Sequence, residues 1–274
     1  MSAAAGLSPE SFGFLRQHVY DGSGIVVRSE QQYLVEARLG PVARESGLES
    51  LNHLCETLRA TPGSPLHSRV VEAMTTNETY FFREPVQYEA LKNSILPDLI
   101  RNREATRKLS FWSAASSTGQ EAYSLTMMLL EMGLREWNLD ILATDLCLRV
   151  LDRAASGRFS QLEVNRGLAV TYLLKYFRRA GVEWELNPEV RGRVRFQPFD
   201  LRASMRSKGP FDIVFCRNVL IYFDMPTRQA ILKEIHATLF KGGFLVLGTA
   251  EGGLPIGECY ERQNLGSSVI YVAR

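Results

Sequence analysis

The sequence predicts an α/β protein, in which a mixed, mainly parallel β-sheet covered by helices follows a small all-helical segment. Two patterns carry this prediction. From Leu109 onward, short apolar runs alternate with amphipathic helical stretches, which is the order of β-α-β units. Residues 1–75 instead repeat apolar side chains at the three- to four-residue spacing of helices. A chain of 274 residues with 45% hydrophobic and 23% charged side chains is long and apolar enough to fold.

Residues 1–75 fit four short helices. Glycine- and proline-containing segments at residues 22–24 and 61–65 interrupt the apolar spacing, as turns between helices do. The apolar positions on the predicted helices are Phe12, Leu15 and Val19, then Leu48, Leu51, Leu54, Cys55 and Leu58, then Val70, Val71 and Met74.

Six short apolar runs in the rest of the chain are predicted to be strands. They are LSFWSA (109–114), LDILATD (139–145), RVRFQPFD (193–200), FDIVFCRN (211–218), GGFLVLGT (242–249) and SSVIYVA (267–273). Helices are predicted at residues 119–132, at 146–155 and from about 225 to 240. Strands this apolar on both faces belong in a parallel sheet covered by helices, and the last run suits an antiparallel strand.

The carboxyl ends of the parallel strands are where this architecture binds ligands. Four predicted strands end at Ser113 to Gly119, at Asp145, at Asp200 and at Arg217 with Asn218. We therefore expect these residues to surround one pocket.

The first strand is followed by small residues, Ser113 to Gly119, which let a ligand approach a helix N-terminus or simply form a tight turn. The glycine patterns that bind a pyrophosphate or a triphosphate are absent. Asp145 could accept hydrogen bonds from two ribose hydroxyls, or cap the helix that follows. A nucleoside ligand without a phosphate grip favours S-adenosylmethionine and methyl transfer.

Composition excludes several other classes of protein. A formal charge of +2 favours neither a nucleic-acid partner nor a polybasic membrane anchor, and no apolar run is long enough for insertion into a bilayer. The four cysteines and four histidines lack the spacing of metal ligands, so no metal is predicted. Residues 1–20 do not resemble a secretory signal, and a cytoplasmic location is expected.

Four stretches of the chain, in this order, carry a resemblance to a known family. They are NETYFFR (77–83), WSAASSTGQEAYS (112–124), ATD (143–145) and FDIVFCRNVLIYF (211–223). Together they resemble the CheR family of chemotaxis-receptor glutamate methyltransferases, and the resemblance extends over nearly the whole chain.

The resemblance implies a domain plan and an activity. The plan is an N-terminal helical domain over residues 1–75 and a Rossmann-like S-adenosylmethionine-dependent methyltransferase domain over 76–274. A small antiparallel β insertion is expected at about 176–197. The implied activity converts glutamates on the cytoplasmic helical domain of chemotaxis receptors into methyl esters during sensory adaptation, with S-adenosylhomocysteine as the other product.

The resemblance also implies site residues, carried over position by position. The cofactor contacts fall on Asn77, Thr79, Arg83, Glu121, Asp145, Asp200, Leu201, Arg217 and Asn218. The catalytic residues are expected to be Arg83, which would hold the cofactor's carboxylate with its two-pronged guanidinium, and Tyr222, which would orient the acceptor or the methyl donor.

The chain departs from the pattern of the family in two places, at Asp200 and in the turn motif around Glu121. Asp200 stands where an asparagine is common, and an aspartate can accept from the adenine amino group but cannot donate to a ring nitrogen. Gln120 and Ala122 stand where the family often has Glu and Pro, whereas Glu121 matches.

Several alternatives stay open on the sequence alone. Phe81 and Phe82 could place a ring near the sulfonium, although such a pair is more often core. A chain with these motifs could also be a signalling adaptor that binds S-adenosylmethionine without turnover, or a carboxyl methyltransferase for a protein outside chemotaxis. The segment 179–196 lacks the glycine-rich turn of members that bind a C-terminal receptor tether, so no tether is expected. Arginines at 178, 179, 191, 193 and 195 offer a basic docking face or merely a solvated one.

Overall fold

The computed structural model describes residues 6–274, which form two compact units. The first unit comprises the chain up to Thr76 together with Tyr222–Thr227. The second comprises Asn77–Ile221 and Arg228–Arg274. Within residues 6–274, no helix is long and apolar enough to cross a bilayer.

The first unit contains the four predicted helices: α1 (Pro9–Ser23), α2 (Gln32–Glu45), α3 (Leu51–Ala60) and α4 (Pro65–Met74). Their ends follow from local chemistry. Ser8 and Ser50 cap α1 and α3 by accepting hydrogen bonds from backbone N–H groups three residues later. Proline occupies the first turn of α1 and α4, where its missing N–H has no partner to lose.

The apolar faces of these helices form a core of their own, around Leu15, Val19, Leu39 and Leu54. The segment Tyr222–Thr227 belongs to this unit through hydrogen bonds as well as packing. Tyr20 Oη donates to Asp224 Oδ2 at 2.7 Å, and Val26 N donates to the carbonyl of Tyr222 at 2.9 Å. The periodicity of residues 1–75 contained no sign of this distant segment.

The second unit is built on a sheet of seven strands. In chain order, the ten strands of the unit are β1 (Lys108–Ser113), β2 (Asn138–Asp145), β3 (Arg158–Ser160), β4 (Phe177–Ala180), β5 (Glu183–Leu186), β6 (Val194–Pro198), β7 (Phe211–Cys216), β8 (Leu239–Leu247), β9 (Tyr260–Leu265) and β10 (Ser268–Ala273). The main sheet has the order β6-β2-β1-β7-β8-β10-β9. Its first five strands are parallel, and β10 and β9 are antiparallel to their neighbours.

Helices of the second unit precede β1 or lie between the strands. They are α5 (Pro85–Ala90), α6 (Leu96–Arg103), α7 (Gln120–Glu131), α8 (Leu148–Ser156), α9 (Gln161–Asn165), α10 (Val170–Tyr176) and α11 (Pro188–Arg191), with a π-helical turn at Leu91–Ile95 between α5 and α6. The helix α12 (Met225–His236) begins in the first unit and continues in the second. It ends four residues before the predicted position, because the carbonyl of Thr238 accepts from Phe211 N at 2.8 Å and the chain then enters β8.

A small antiparallel sheet, in the order β3-β5-β4, accompanies the main one. It differs in extent from the predicted insertion at about 176–197. Its third strand, β3, comes from Arg158–Ser160, outside that range, whereas β6 lies inside the range and pairs with β2 of the main sheet. The second unit is thus a Rossmann-like α/β fold with a small antiparallel sheet, and an all-α segment precedes it.

Candidate active site

The carboxyl ends of β1, β2 and β7 meet at one edge of the main sheet. The strand β1 lies between the other two, with Ser113 in register with Ala143 and Phe215. Beyond the strand, Ala114 N donates to the carbonyl of Phe215 at 2.8 Å and Ser116 N donates to that of Thr144 at 2.9 Å. The turn after β1 is therefore held against both neighbouring strand ends.

Gly119, which opens α7, is required by the fold itself. Its φ of +89° favours glycine, and a Cβ atom there would lie 3.0–3.1 Å from Ala154, Phe196 and Tyr123. The sequence analysis left open whether this glycine makes room for a ligand. The positive φ and the side chains packed around Gly119 are enough to explain it.

Strained backbone concentrates around these strand ends. Among the described residues, five non-glycine residues have positive φ, and four of them, Phe82, Glu84, Ser117 and Asn218, lie in or beside the predicted site. Their φ values range from 49° to 60°. Non-glycine residues with a backbone φ in this range are strained, and they keep this conformation where the surrounding structure holds them. Such residues are common at functional sites.

The strand-end cluster consists of Glu84, Glu121, Arg217 and Asn218. Arg217 lies at its centre, with its side chain 2% exposed. Its Nη1 donates to Glu121 Oε2 at 2.9 Å, and its Nη2 lies 3.4 Å from Glu84 Oε2 and donates to the carbonyl of Arg83. Glu121 also accepts from Ser113 Oγ at 2.7 Å. Burial lowers the pKa of Arg217. The nearby Glu121 carboxylate, the Tyr88 hydroxyl and the Glu84 carboxylate raise this pKa by more, so the guanidinium stays charged.

Glu84 is a residue of the cluster that the sequence analysis missed. Its carboxylate accepts from Asn218 Nδ2 at 3.2 Å, from Thr249 N at 3.0 Å and from Thr249 Oγ1 at 2.9 Å. Burial raises the pKa of Glu84, but the charge of Arg217 and these hydrogen bonds hold it below its ordinary value. Its position directly after NETYFFR was the available signal.

Glu251 is a second missed residue, and it is fully buried. Burial raises the pKa of its carboxyl. The hydrogen bonds that the carboxylate accepts from backbone N–H groups, including Asn218 N, lower this pKa in part. It follows β8, whose carboxyl end lies beside that of β7. Applying the strand-end rule to GGFLVLGT, as to the other parallel strands, would have found it.

Asp145 and Asn77 are linked through the turn after β1. Asp145 Oδ2 accepts from Ser117 N at 2.9 Å, and Ser117 Oγ donates to the carbonyl of Asn77 at 2.9 Å. Asp145 Oδ1 accepts from Cys147 N at 3.0 Å, so the carboxylate also supports the turn before α8. The structure thus brings the NETYFFR segment against the ends of β1 and β2.

Arg83 belongs to the same segment, but its guanidinium is not bound to the carboxylates of the cluster. Its Nη1 donates to the carbonyl of Glu78 at 2.7 Å, and the group lies over the Tyr80 ring at 5.7 Å. Thr79, in the same segment, is half-buried.

The two phenylalanines of this segment are packing residues. Phe81 is 0% exposed and makes edge-on contacts with Phe159 and Phe177, at ring distances of 5.0 and 5.6 Å. Phe82 packs against the rings of Tyr88 and Tyr172. Phe81 therefore joins the segment to the small sheet as part of the core.

Asp200 is held by a neighbouring cation. Arg202 donates to both of its oxygens, with Nη2 at 2.7 Å from Oδ2, and Arg202 N donates to Oδ1 at 2.9 Å. Leu201 is buried beside it. The adenine contact predicted for Asp200 stays a prediction; in the structure the carboxylate is bound by Arg202.

Tyr222 is half-buried and belongs to the first unit, through the hydrogen bond that its carbonyl accepts from Val26 N. Its predicted role in orienting the reactants stays a prediction. No group of three or more side chains suited to a metal ion occurs within residues 6–274.

Comparison with known proteins decides the family. The family model described as "CheR methyltransferase, SAM binding domain" matches residues 77–257, and "CheR methyltransferase, all-alpha domain" matches residues 10–75. The chain belongs to the CheR methyltransferase family. This CheR methyltransferase is therefore an S-adenosylmethionine-dependent enzyme.

Relatives of the CheR methyltransferase extend over nearly its whole length. "Chemotaxis protein methyltransferase Cher2" of Pseudomonas putida is 41% identical over 259 residues, which cover 92% of this chain and 93% of the relative. "Chemotaxis protein methyltransferase 1" of Pseudomonas aeruginosa is 39% identical over 269 residues, covering 96% and 97%. These relatives support a methylation reaction in chemotaxis.

The side chains of the strand-end cluster fit S-adenosylmethionine by their chemistry. Glu84 and Glu121 outnumber the single buried cation Arg217, which suits a ligand with a sulfonium and an ammonium group. Ser116 Oγ, on the turn after β1, is buried without a hydrogen-bond partner among the described residues, so a polar ligand atom would satisfy it.

Proposed function

We propose that this CheR methyltransferase transfers methyl groups to the side-chain carboxylates of specific glutamates on the cytoplasmic helical domain of chemotaxis receptors. The observation that carries the proposal is the strand-end cluster, in which Glu121, Arg217 and Asn218 come from the matched motifs and Glu84 directly follows one of them. It offers charged groups that bind and orient a cationic cofactor, but no histidine. The one histidine of the second unit, His236, packs against Tyr260 instead.

The proposed roles of the residues follow from their chemistry. Bound S-adenosylmethionine supplies an activated methyl group on a sulfonium. Asp145 would accept from the ribose hydroxyls, and Asp200 with Leu201 would contact the adenine. Arg83 would bind the cofactor's carboxylate and Tyr222 would orient the acceptor. The remaining proposed contacts are Asn77, Thr79, Glu121, Arg217 and Asn218.

Most of the rate enhancement would come from orientation and from the exclusion of water. The attack of a carboxylate on a sulfonium disperses charge, so a site poor in water favours the reaction. Well-oriented reactants can gain on the order of 7–11 kcal/mol at the upper limit.

The proposal predicts little pH dependence of methyl transfer between about pH 6 and pH 8.5. A glutamate acceptor has an ordinary pKa of about 4.3 and is ionised throughout this range, so no base has to remove a proton. Glu84, whose pKa is held below its ordinary value by the charge of Arg217 and by its hydrogen bonds, also stays ionised. Initial rates at saturating cofactor would test this. A tenfold fall for each pH unit below 7 would indicate a catalytic base and contradict the mechanism.

Exposed apolar side chains beside the small sheet support a docking surface for receptor helices. Leu162, Val170, Leu174 and Val182 are 67–84% exposed, which is unusual for large apolar side chains and typical of an interaction surface. All four lie on α9, on α10 or in the turn between β4 and β5.

The arginines near the small sheet are engaged within the protein. Arg178 pairs with Glu185 at 2.9 Å, Arg195 pairs with Asp140 at 2.7 Å, and Arg193 donates to the carbonyl of Arg135 at 2.7 Å. Docking by the exposed apolar side chains is therefore better supported than docking by an arginine face.

Methyl-labelled S-adenosylmethionine and receptor cytoplasmic fragments would test the proposed substrate. We expect label that mild base releases, because carboxyl esters hydrolyse readily, at the same rate for fragments with and without the C-terminal segment. Base-stable label would indicate a nitrogen acceptor. Label confined to fragments that keep the C-terminal segment would show that a tether is needed. Binding of S-adenosylhomocysteine without label on any receptor fragment would indicate an adaptor.

A further inference from the structure

The carboxylate of Glu251 collects five backbone N–H groups from two strand ends. Oε1 accepts from Val219 N, Leu220 N and Ile221 N at 2.9, 2.7 and 3.3 Å. Oε2 accepts from Asn218 N at 2.7 Å and from Gly248 N at 2.8 Å. Glu251 is 0% exposed, so these hydrogen bonds are shielded from water.

Asn218 is the residue that this arrangement constrains most. It follows β7 with a φ of 58°, a region that asparagine enters only at some energetic expense. Its N–H is fixed by Glu251, and its Nδ2 donates to Glu84 at 3.2 Å. Because the ionised Glu84 carboxylate only accepts hydrogen bonds, the amide must face it with nitrogen, and Oδ1 is left as the atom that can accept from a ligand.

Gly248 completes the enclosure on the side of β8. Its φ of −66° is accessible to any residue, so its backbone conformation does not require glycine. A Cβ atom there would lie 2.4 Å from Asn218 Nδ2 and 2.9 Å from Asn218 N. Glycine at this position therefore makes room for Asn218.

We propose that Glu251 is a positioning residue for cofactor binding, which holds Asn218 in its left-handed conformation so that Oδ1 faces the cofactor. The inference rests on the proposed assignment of Asn218 to the cofactor site. Glu251 itself touches no reacting atom and acts through the backbone that it fixes.

Glu251→Gln is the variant that tests this. Both carboxylate oxygens of Glu251 accept from backbone N–H groups. A glutamine of nearly the same shape replaces one of these oxygens by an NH₂ group, which cannot accept, so the N–H groups on that side lose their acceptor. Isothermal titration should show the Kd for S-adenosylhomocysteine rising at least about tenfold, at a temperature where circular dichroism shows the variant fully folded. The KM for S-adenosylmethionine should rise with it, more than kcat falls.

Two further variants separate positioning from stability. Asn218→Ala should weaken binding as well, and adding Glu251→Gln to it should cause little further loss, because one effect acts through the other. Asp212→Asn is the matched control. Asp212 is a buried carboxylate at the opposite end of β7, paired with Arg103 at 2.9 Å, and its loss should lower the melting temperature without changing the Kd.

The outcomes distinguish the inference from the assignment beneath it. If Asn218→Ala binds S-adenosylhomocysteine as the parent does, the assignment of Asn218 is wrong. If Asn218→Ala weakens binding and folded Glu251→Gln does not, Glu251 is only structural and the inference is overturned. Should Glu251→Gln fail to fold, Gly248→Ala, which keeps the carboxylate but displaces Asn218, gives the same test: a Kd within twofold of the parent would overturn the inference.

Discussion

Replacing Arg217 by methionine should lower the free energy of unfolding by about 3–5 kcal/mol, which is the usual effect of leaving buried charges unpaired. The guanidinium is 2% exposed and lies between Glu121 and Glu84, at 2.9 and 3.4 Å. Methionine fills a similar volume but leaves both carboxylates without their cation. Urea denaturation followed by circular dichroism would measure the change, and cofactor binding should be lost with it.

Two further variants make this result specific. Glu84→Gln and Glu121→Gln, added to Arg217→Met, should restore part of the stability, because the carboxylates that the cation neutralised are then removed. Arg195→Met breaks an exposed pair with Asp140, with side chains 55% and 34% exposed, and should change stability by less than about 1 kcal/mol. A loss of less than about 1 kcal/mol for Arg217→Met would show that the buried pairs contribute little net stability.

Arg83→Ala should reduce methyl transfer more than about a hundredfold, since a guanidinium that holds the cofactor's carboxylate has no substitute. The stability of the variant should change little, because within residues 6–274 the guanidinium has a hydrogen bond to Glu78 O, a contact with the Tyr80 ring and a charge interaction with the exposed Glu78 carboxylate, and is not bound to the buried carboxylates. Single-turnover rates with saturating S-adenosylmethionine, together with melting temperatures, would separate the two effects.

Arg166 provides a matched control for Arg83. Its guanidinium pairs with Glu78 at 2.6 Å and lies over the same Tyr80 ring at 4.3 Å, but no role at the site is proposed for it. Arg166→Ala should retain the parent rate. Arg83→Lys should recover only part of the activity, because lysine keeps the charge without the two-pronged geometry. Activity of Arg83→Ala within threefold of the parent would remove Arg83 from the site.

Left-handed backbone links these variants to Glu251. Phe82 and Glu84, which flank Arg83, have positive φ. Asn218, which follows Arg217, also has positive φ. The carbonyl of Arg83 accepts from Arg217, and Glu84 accepts from Asn218. The cofactor residues proposed from two distant motifs are therefore held by one hydrogen-bonded network, and their substitutions should not be additive in binding free energy.

The order of elements and the strand-end positions of the candidate site could be predicted because they depend on local patterns. Apolar spacing distinguishes helices from strands, and the carboxyl ends of parallel strands lie at one edge whatever the details of packing. Ser113, Asp145 and Arg217 each stand at a strand end or directly after one in the structure, as their runs indicated.

Only the tertiary structure decided which partners these residues have. Glu84 pairs with Arg217 and accepts from Thr249. Glu251 accepts from the backbone of the turn after β7, and Arg202 donates to Asp200. The segment Arg158–Ser160 pairs with β5 in the small sheet. Such contacts join residues far apart in the chain or depend on rotamers, and neither is encoded in periodicity. They form because burial forces each polar group to find whichever partner packing brings within reach.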